Sequence, residues 1–89
     1  MFFKKKNRRG AKRVAINQRA ILRHSLANQT REVTIIDLSE TGAGLCVSEF
    51  IMRDIPIEVD WEGGLLKGTV QYCRPLNSGD FKVGMRFLD

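Results

Sequence analysis

The sequence predicts a small all-β domain, a six-stranded antiparallel β-barrel preceded by a flexible basic N-terminal arm. The chain has 89 residues, of which 43% are hydrophobic, which suits one domain with a modest core. Apolar and polar residues alternate with a period of two in short segments, and no long segment has the 3.6-residue period of a helix. Glycine-containing turns separate these segments, and closing the sheet into a barrel protects its strand edges.

The clearest strands lie in the second half of the chain. Residues 55–62 alternate strictly, so that Trp61 is expected on the core face. Residues 65–74 are rich in β-forming side chains and follow the turn sequence E-G-G, which predicts a hairpin with the preceding strand. Residues 81–87 alternate in the same way and form the predicted last strand.

Three further segments complete the predicted barrel. Residues 31–39 and 42–48 are short, β-branched or apolar, and are separated by a tight corner. Residues 14–24 are ambiguous, because the start of this segment favours a strand whereas residues 20–23 also suit a helical turn. The predicted organisation is therefore an arm over residues 1–13 and a single barrel domain over residues 14–89.

The net charge of +5 is distributed unevenly along the chain. Seven of the 15 basic residues lie between Lys4 and Arg13, and the first acidic residue is Glu32. From Val14 onward there are eight basic and ten acidic residues, a balance of −2. This distribution favours a short arm that binds a compact anion over a barrel that binds nucleic acid across a whole face. A solvated basic tail is the alternative interpretation of the arm.

Several other classes of protein are not favoured. The longest uncharged stretch, residues 41–48, is far shorter than the roughly 20 apolar residues of a membrane-spanning helix. The basic N-terminus lacks the apolar segment of a secretory signal, so a cytoplasmic location is expected. Cys46, Cys73 and the single His24 do not form a metal-ligand set or a nucleophile–base pair. The cysteines are expected to be buried, reduced thiols, and neither an enzyme activity nor a cofactor is predicted.

The corner after the second predicted strand carries the pattern D-x-S-x-x-G, formed by Asp37, Ser39 and Gly42. Asp37 and Ser39 are two residues apart, so both side chains are expected to point outward from the same face of the strand. Leu38 between them would point into the core. Gly42 is expected to supply a positive φ and to let a ligand approach closely. The alternative is a turn that merely shapes a hairpin.

The arm contains three arginines, Arg8, Arg9 and Arg13, among its lysines. A guanidinium group binds phosphate or the O6/N7 edge of guanine with two hydrogen bonds, and it also stacks on a base. In an extended chain Arg9 and Arg13 would lie about 13 Å apart. That separation suits contacts with two parts of one dinucleotide.

Together these motifs resemble the PilZ domain family. The pattern R-x-x-x-R of Arg9 and Arg13 precedes a strand, and D-x-S-x-x-G follows about two dozen residues later. Residues 82–87, K-V-G-M-R-F, are similar to the family's final strand with its V-G-x-x-F pattern. The resemblance covers residues 8–87. It implies a six-stranded antiparallel split barrel of a bacterial protein that binds the second messenger cyclic di-GMP.

The resemblance also implies roles for individual residues. Arg9 and Arg13 would contact phosphate and guanine, and Asp37 would accept hydrogen bonds from the N–H edge of guanine. Ser39 would add a polar contact, and Gly42 would shape the turn. In some relatives an arginine at the position of Arg8 accompanies the binding of two stacked ligand molecules, so a ligand dimer is a hypothesis here.

On a later strand, Tyr72 occupies the position where some relatives carry an aromatic residue that packs on guanine. The alternative is that Tyr72 is a half-buried barrel residue. Arg74 lies on the same strand face and is a weaker candidate. Ligand binding is expected to order the arm and to signal through an unidentified protein partner. The alternative functions are a PilZ-like adaptor that binds no ligand and a small barrel that binds single-stranded nucleic acid.

Overall fold

The computed structural model describes residues 12–88 and has six strands. They are β1 (Val14–His24), β2 (Gln29–Leu38), β3 (Gly42–Val47), β4 (Pro56–Trp61), β5 (Gly64–Pro75) and β6 (Phe81–Phe87). All pairs are antiparallel, and the strands close into a barrel in the order β1-β2-β3-β6-β5-β4. The predicted fold class is therefore confirmed. The arm predicted over residues 1–13 lies outside the described residues, apart from Lys12 and Arg13.

The ambiguous segment at the start of the barrel is a strand throughout, because β1 pairs with two neighbours. It pairs with β2 from Val14 to His24, with one register shift between Ala15 and Gln18, and Ile21 to His24 are also in register with β4. Ala20 and Leu22 are buried whereas Arg19 and Ile21 are exposed, the period-two alternation of a strand. Pairing across the barrel thus overrides any local helical preference.

The core is formed by the inward-facing residues of all six strands. Every strand contributes, and the largest fully buried side chains are Leu22, Ile35, Leu45, Ile57, Val47, Val59, Val70 and Val83. Ile51 adds a buried side chain from the loop between β3 and β4. Trp61 is partly buried and packs against this cluster, as predicted. The predicted β4–β5 hairpin is also confirmed, with Trp61 opposite Gly64.

Three strands contain irregularities at which the alternation changes. The register shifts between Ala15 and Gln18 of β1, opposite Ile36 of β2. Ile36 is also the extra residue of β2 relative to β3, and Gln71 is the extra residue of β5 relative to β6. A bulge lets two consecutive residues face outward, and bulges concentrate next to functional sites.

Among residues 12–88 there is no helix long and apolar enough to span a membrane.

Candidate functional site

Four outward-facing residues lie side by side on consecutive strands and form what we call the glycine row. Asp37 of β2 is in register with Gly44 of β3, which is opposite Gly84 of β6, which in turn is opposite Tyr72 of β5. Neighbouring strands are about 4.8 Å apart, so the backbones of Asp37 and Tyr72 at the two ends of the row are about 14 Å apart across the sheet. The bulges of β2 and β5 immediately precede Asp37 and Tyr72, so they set the direction of both side chains.

The two glycines give the end residues room to lean toward each other. A Cβ atom on Gly44 would lie 2.8 Å from Oδ1 of Asp37, and one on Gly84 would lie 2.1 Å from Cε2 of Tyr72. The carboxylate therefore lies over β3 and the aromatic ring over β6. The side chains of Asp37 and Tyr72 are closer together than their backbones, and a side chain on either glycine would push them apart.

Arg13 connects the end of the arm to this row. Its Nη1 donates a hydrogen bond to Oδ1 of Asp37 over 2.6 Å, a charge-assisted contact between side chains that are 49% and 17% exposed. The two side chains can meet because Ala15, two residues after Arg13, is in register with Asp37. A carboxylate has about four lone-pair positions, so Asp37 can accept further hydrogen bonds while it binds Arg13. The other two predicted site arginines, Arg8 and Arg9, lie outside the described residues.

Ser39 does not point outward beside Asp37, so this geometric expectation was wrong. Its side chain is buried, at 2% exposure, inside the turn between β2 and β3. Its Oγ accepts hydrogen bonds from the backbone N–H groups of Thr41 and Gly42, both over 3.2 Å. The reason is that β2 ends at Leu38 and the chain then reverses, with the N–H of Ser39 donating to the carbonyl of Gly42. The hydroxyl stabilises the turn that holds the end of β2.

The expected positive φ at Gly42 was also wrong. Positive φ values are found at Gly64 and Gly79 of the described glycines, whereas Gly42 is an ordinary first residue of β3. A Cβ on Gly42 would lie 2.2 Å from the carbonyl oxygen of Met85. The glycine is therefore required by the close approach of the β6 backbone and not by the conformation of the turn.

Tyr72 is half-buried and its ring also contacts a cation. The guanidinium carbon of Arg74 lies 4.6 Å from the ring centroid, within the range of a cation–π interaction. Lys82 of β6 lies directly opposite Arg74. Arg86, two residues beyond Gly84, lies opposite Gly42 of β3.

Cations therefore surround the glycine row on the barrel itself, and two of them, Lys82 and Arg86, were not among the predicted site residues. The alternation of β6 places Lys82 and Arg86 on the same outward face as Gly84, which is a signal present in the sequence. Their proximity to Asp37 follows only from the strand order, in which β3 separates β2 from β6.

A shallow depression of about 260 Å³ lies beside the glycine row. Its lining combines two arginines with the β2–β3 turn and the β5 bulge, namely Arg13, Thr41, Gly42, Gln71, Met85 and Arg86. Two guanidinium groups at one open depression favour an anionic ligand that offers several oxygen acceptors. The depression and the row together provide cations, an acceptor carboxylate and an aromatic ring on one face.

The two cysteines lie outside this arrangement. Both are half-buried free thiols, and Sγ of Cys46 lies 3.8 Å from a carboxylate oxygen of Asp80. Burial raises the pKa of the Cys46 thiol, and the negative charge and hydrogen bond of Asp80 raise it further. Within residues 12–88, no three His, Cys, Asp or Glu side chains are grouped to bind a metal ion.

The chain matches a known protein family. No curated protein shows a significant sequence match to the chain. The family model described as "PilZ domain" matches residues 7–89, nearly the whole length. This match includes both arginines of the R-x-x-x-R pattern, the D-x-S-x-x-G turn and all six strands. The chain therefore belongs to the PilZ domain family.

Proposed function

We propose that this protein is a receptor for cyclic di-GMP, the ligand that PilZ domains generally bind. The observation that carries the proposal is the contact between Arg13 and Asp37. It joins the end of the basic arm to the D-x-S-x-x-G corner, although the two residues are 24 positions apart in the chain. One arginine of the R-x-x-x-R pattern and the carboxylate of the D-x-S-x-x-G pattern are thus available at one place.

Asp37 supplies the group that selects guanine. The N1–H and N2–H₂ groups of guanine are adjacent donors, and an ionised carboxylate is an acceptor with two oxygens. Asp37 is 17% exposed, which leaves its carboxylate accessible to a ligand while β2 and Arg13 hold it in place. Ser39 and Gly42 act indirectly in this proposal, because they stabilise the turn that fixes the end of β2.

The phosphates of the ligand are bound by guanidinium groups from the arm and the barrel. Arg13 and Arg86 line the same depression, and in this proposal Arg8 and Arg9 of the preceding segment contribute two further guanidinium groups to the ligand. Four arginines exceed what one pair of phosphates requires, which supports the hypothesis that two stacked ligand molecules bind together.

Binding would convert the arm from a chain of mutually repelling cations into a segment bridged by the ligand's phosphates. The new surface of arm and ligand would then contact a protein partner, as expected for a non-enzymatic receptor in the cytoplasm. Equal NMR relaxation of the arm's amide groups with and without saturating cyclic di-GMP would contradict this step.

The proposal is tested by calorimetric titration of the full chain with cyclic di-GMP. Arg9→Ala, Arg13→Ala and Asp37→Ala are each expected to weaken binding at least tenfold, since each removes hydrogen bonds to a charged group worth about 1.5–3 kcal/mol. Arg23→Ala is the matched control, because Arg23 is a surface arginine of β1 paired with Glu58 across the β1–β4 boundary. Its Kd should equal that of the wild type.

The stoichiometry of the titration decides between one bound ligand and a stacked pair. An absence of heat with the wild-type chain, confirmed by unchanged thermal stability at high ligand concentration, would overturn the proposal. That result would favour the adaptor function, in which the domain acts through protein contacts alone.

A further inference from the structure

A pair of like charges lies next to the glycine row. Arg74 of β5 and Lys82 of β6 are directly opposite each other and two residues from Tyr72 and Gly84, respectively. Directly opposed side chains have Cβ atoms about 5 Å apart, and like charges at that distance destabilise a sheet. Within residues 12–88, the ion pairs involve Arg13, Arg23 and Arg31, so no carboxylate of this part of the chain forms an ion pair with Arg74 or Lys82.

The side chain of Arg74 also contacts the aromatic ring of Tyr72. Its guanidinium lies over the ring of Tyr72, and that ring in turn lies where a Cβ on residue 84 would be. The flexible arginine side chain is thereby oriented before any ligand arrives, which lowers the entropy lost on binding. An exposed arginine that serves only solubility has no need of such support.

The position of the pair complements the cations described above. Arg86 and Lys82 lie on either side of Gly84 along β6, each about 7 Å from it at the rise of an extended strand. Arg13 and Arg86 therefore provide positive charge on one side of the glycine row, and Arg74 and Lys82 provide it on the other. A ligand lying along the row would have cations at both borders.

We propose that Arg74 and Lys82 form a second phosphate-binding corner of the site, located on the barrel, and that Tyr72 is a positioning residue for Arg74. This inference rests on the proposed binding of cyclic di-GMP. Arg74 offers a planar fork to two phosphate oxygens, and Lys82 adds a point charge. One phosphate is then bound from the arm side and the other from the barrel side.

The test compares the Kd of cyclic di-GMP for the full chain at low and at physiological salt. Arg74→Gln is expected to weaken binding about tenfold. Lys82→Gln should weaken it by less, because arginine binds a phosphate with two hydrogen bonds whereas lysine contributes a point charge. Both variants should also reduce the dependence of Kd on salt, since each removes a charge that interacts with the ligand. A purely structural defect would shift Kd equally at both salt concentrations.

Two substitutions of Tyr72 test its positioning role. Tyr72→Phe keeps the ring and should bind like the wild type, whereas Tyr72→Leu should approach the affinity of Arg74→Gln. In the Arg74→Gln background, Tyr72→Leu should have little additional effect, because the residue that it positions is already absent. Arg23→Gln and Lys67→Gln, on the β1–β4–β5 side of the barrel, are the matched controls.

The outcomes separate this inference from the proposed function. Wild-type binding with unchanged Kd and salt dependence in Arg74→Gln and Lys82→Gln would overturn the inference and leave the receptor function standing. Additive losses from Tyr72→Leu and Arg74→Gln would show that Tyr72 contacts the ligand itself, which overturns its positioning role. A wild-type chain that binds no cyclic di-GMP would overturn both proposals.

Discussion

Charged side chains are arranged in opposite ways on two sides of the barrel. On β1, β4 and β5, the residues Arg23, Glu58 and Lys67 lie side by side and form what we call the paired row. The carboxylate of Glu58 lies between two cations, and Arg23 contacts it over 3.2 Å. Here the register is regular, with no bulge among the β1–β4 and β4–β5 pairs.

The side that carries the glycine row has the opposite properties. Its strands contain the bulges at Ile36 and Gln71, two glycines replace side chains, and Arg74 faces Lys82. In the paired row, opposite charges lie next to each other on regularly paired strands, which is an arrangement that stabilises a sheet. The irregular register and the unbalanced charge of the other side reduce stability, and they are therefore expected where a ligand supplies the missing charge.

The largest expected effect is the loss of stability when Gly42 receives a side chain. Gly42→Ala places a methyl group against the carbonyl oxygen of Met85, which belongs to the backbone and cannot rotate away. The free energy of unfolding in urea should fall by about 3 kcal/mol. Asn77→Ala, in the exposed β5–β6 loop, is the control, and its unfolding free energy should stay within about 0.5 kcal/mol of the wild type. A loss below about 1 kcal/mol for Gly42→Ala would show that β6 yields at this point.

The next effect concerns the glycine row itself. Gly44→Ala places its methyl group against the carboxylate of Asp37, a side chain that can turn away at the expense of its contact with Arg13. We expect a loss of about 1 kcal/mol of stability together with weaker binding of cyclic di-GMP.

A double-mutant cycle identifies the cause of that loss. In the Asp37→Ala background the space beside residue 44 is free, so Gly44→Ala should be nearly neutral in urea unfolding. An equal loss of stability in both backgrounds would place the strain in the backbone of β3 instead.

A smaller effect compares one lysine from each side directly. Lys82→Gln removes a like-charge pair and should raise the free energy of unfolding by about 0.3 kcal/mol at low salt. Lys67→Gln removes a cation opposite Glu58 and should lower it by about 0.3 kcal/mol. Both changes should fade as the salt concentration rises. Changes of the same sign in the two variants would remove the distinction between the two sides.

The smallest effect is expected at Cys46 of β3, which lies opposite Lys82 of β6. Its raised pKa means a smaller thiolate fraction at a given pH, so alkylation should reach half of its maximal rate at a higher pH than in an unfolded peptide. Mass spectrometry after iodoacetamide treatment in buffer and in urea measures this for each thiol separately. Faster alkylation of Cys46 in the folded protein would contradict the shift.

The alternation of apolar and polar residues, together with β-forming side chains and turn signals, was sufficient to predict an all-β barrel and most of its strands. In β4 and β6 the residues themselves carry the period of two, and the E-G-G turn fixes the β4–β5 hairpin. The conformation of residues 14–24, strand or helix, could not be decided from the local sequence, because it is pairing with both β2 and β4 that holds β1 in the strand conformation.

The details of the site were less accessible from the sequence. A bulge is defined by the partner strand, so nothing in the residues around Ile36 or Gln71 announces it. The inward turn of Ser39 and the clash that Gly42 avoids likewise depend on contacts made after β2 ends. Arg13 and Asp37 were predicted to contact one ligand, and they are neighbours because the two motifs flank strands that pair with each other.

The bulge near the start of β1 has a consequence for self-association. Register with β4 covers only the last four residues of β1, so the backbone of residues 14–20 is a strand edge on the side away from β2. A regular edge of that length is a template for edge-to-edge aggregation with another copy. Asn17, at a φ of 53°, breaks its regularity, and Arg19 adds a charge beside it. The same irregularity that adjoins the glycine row thus also disfavours edge-to-edge pairing with another copy of the chain.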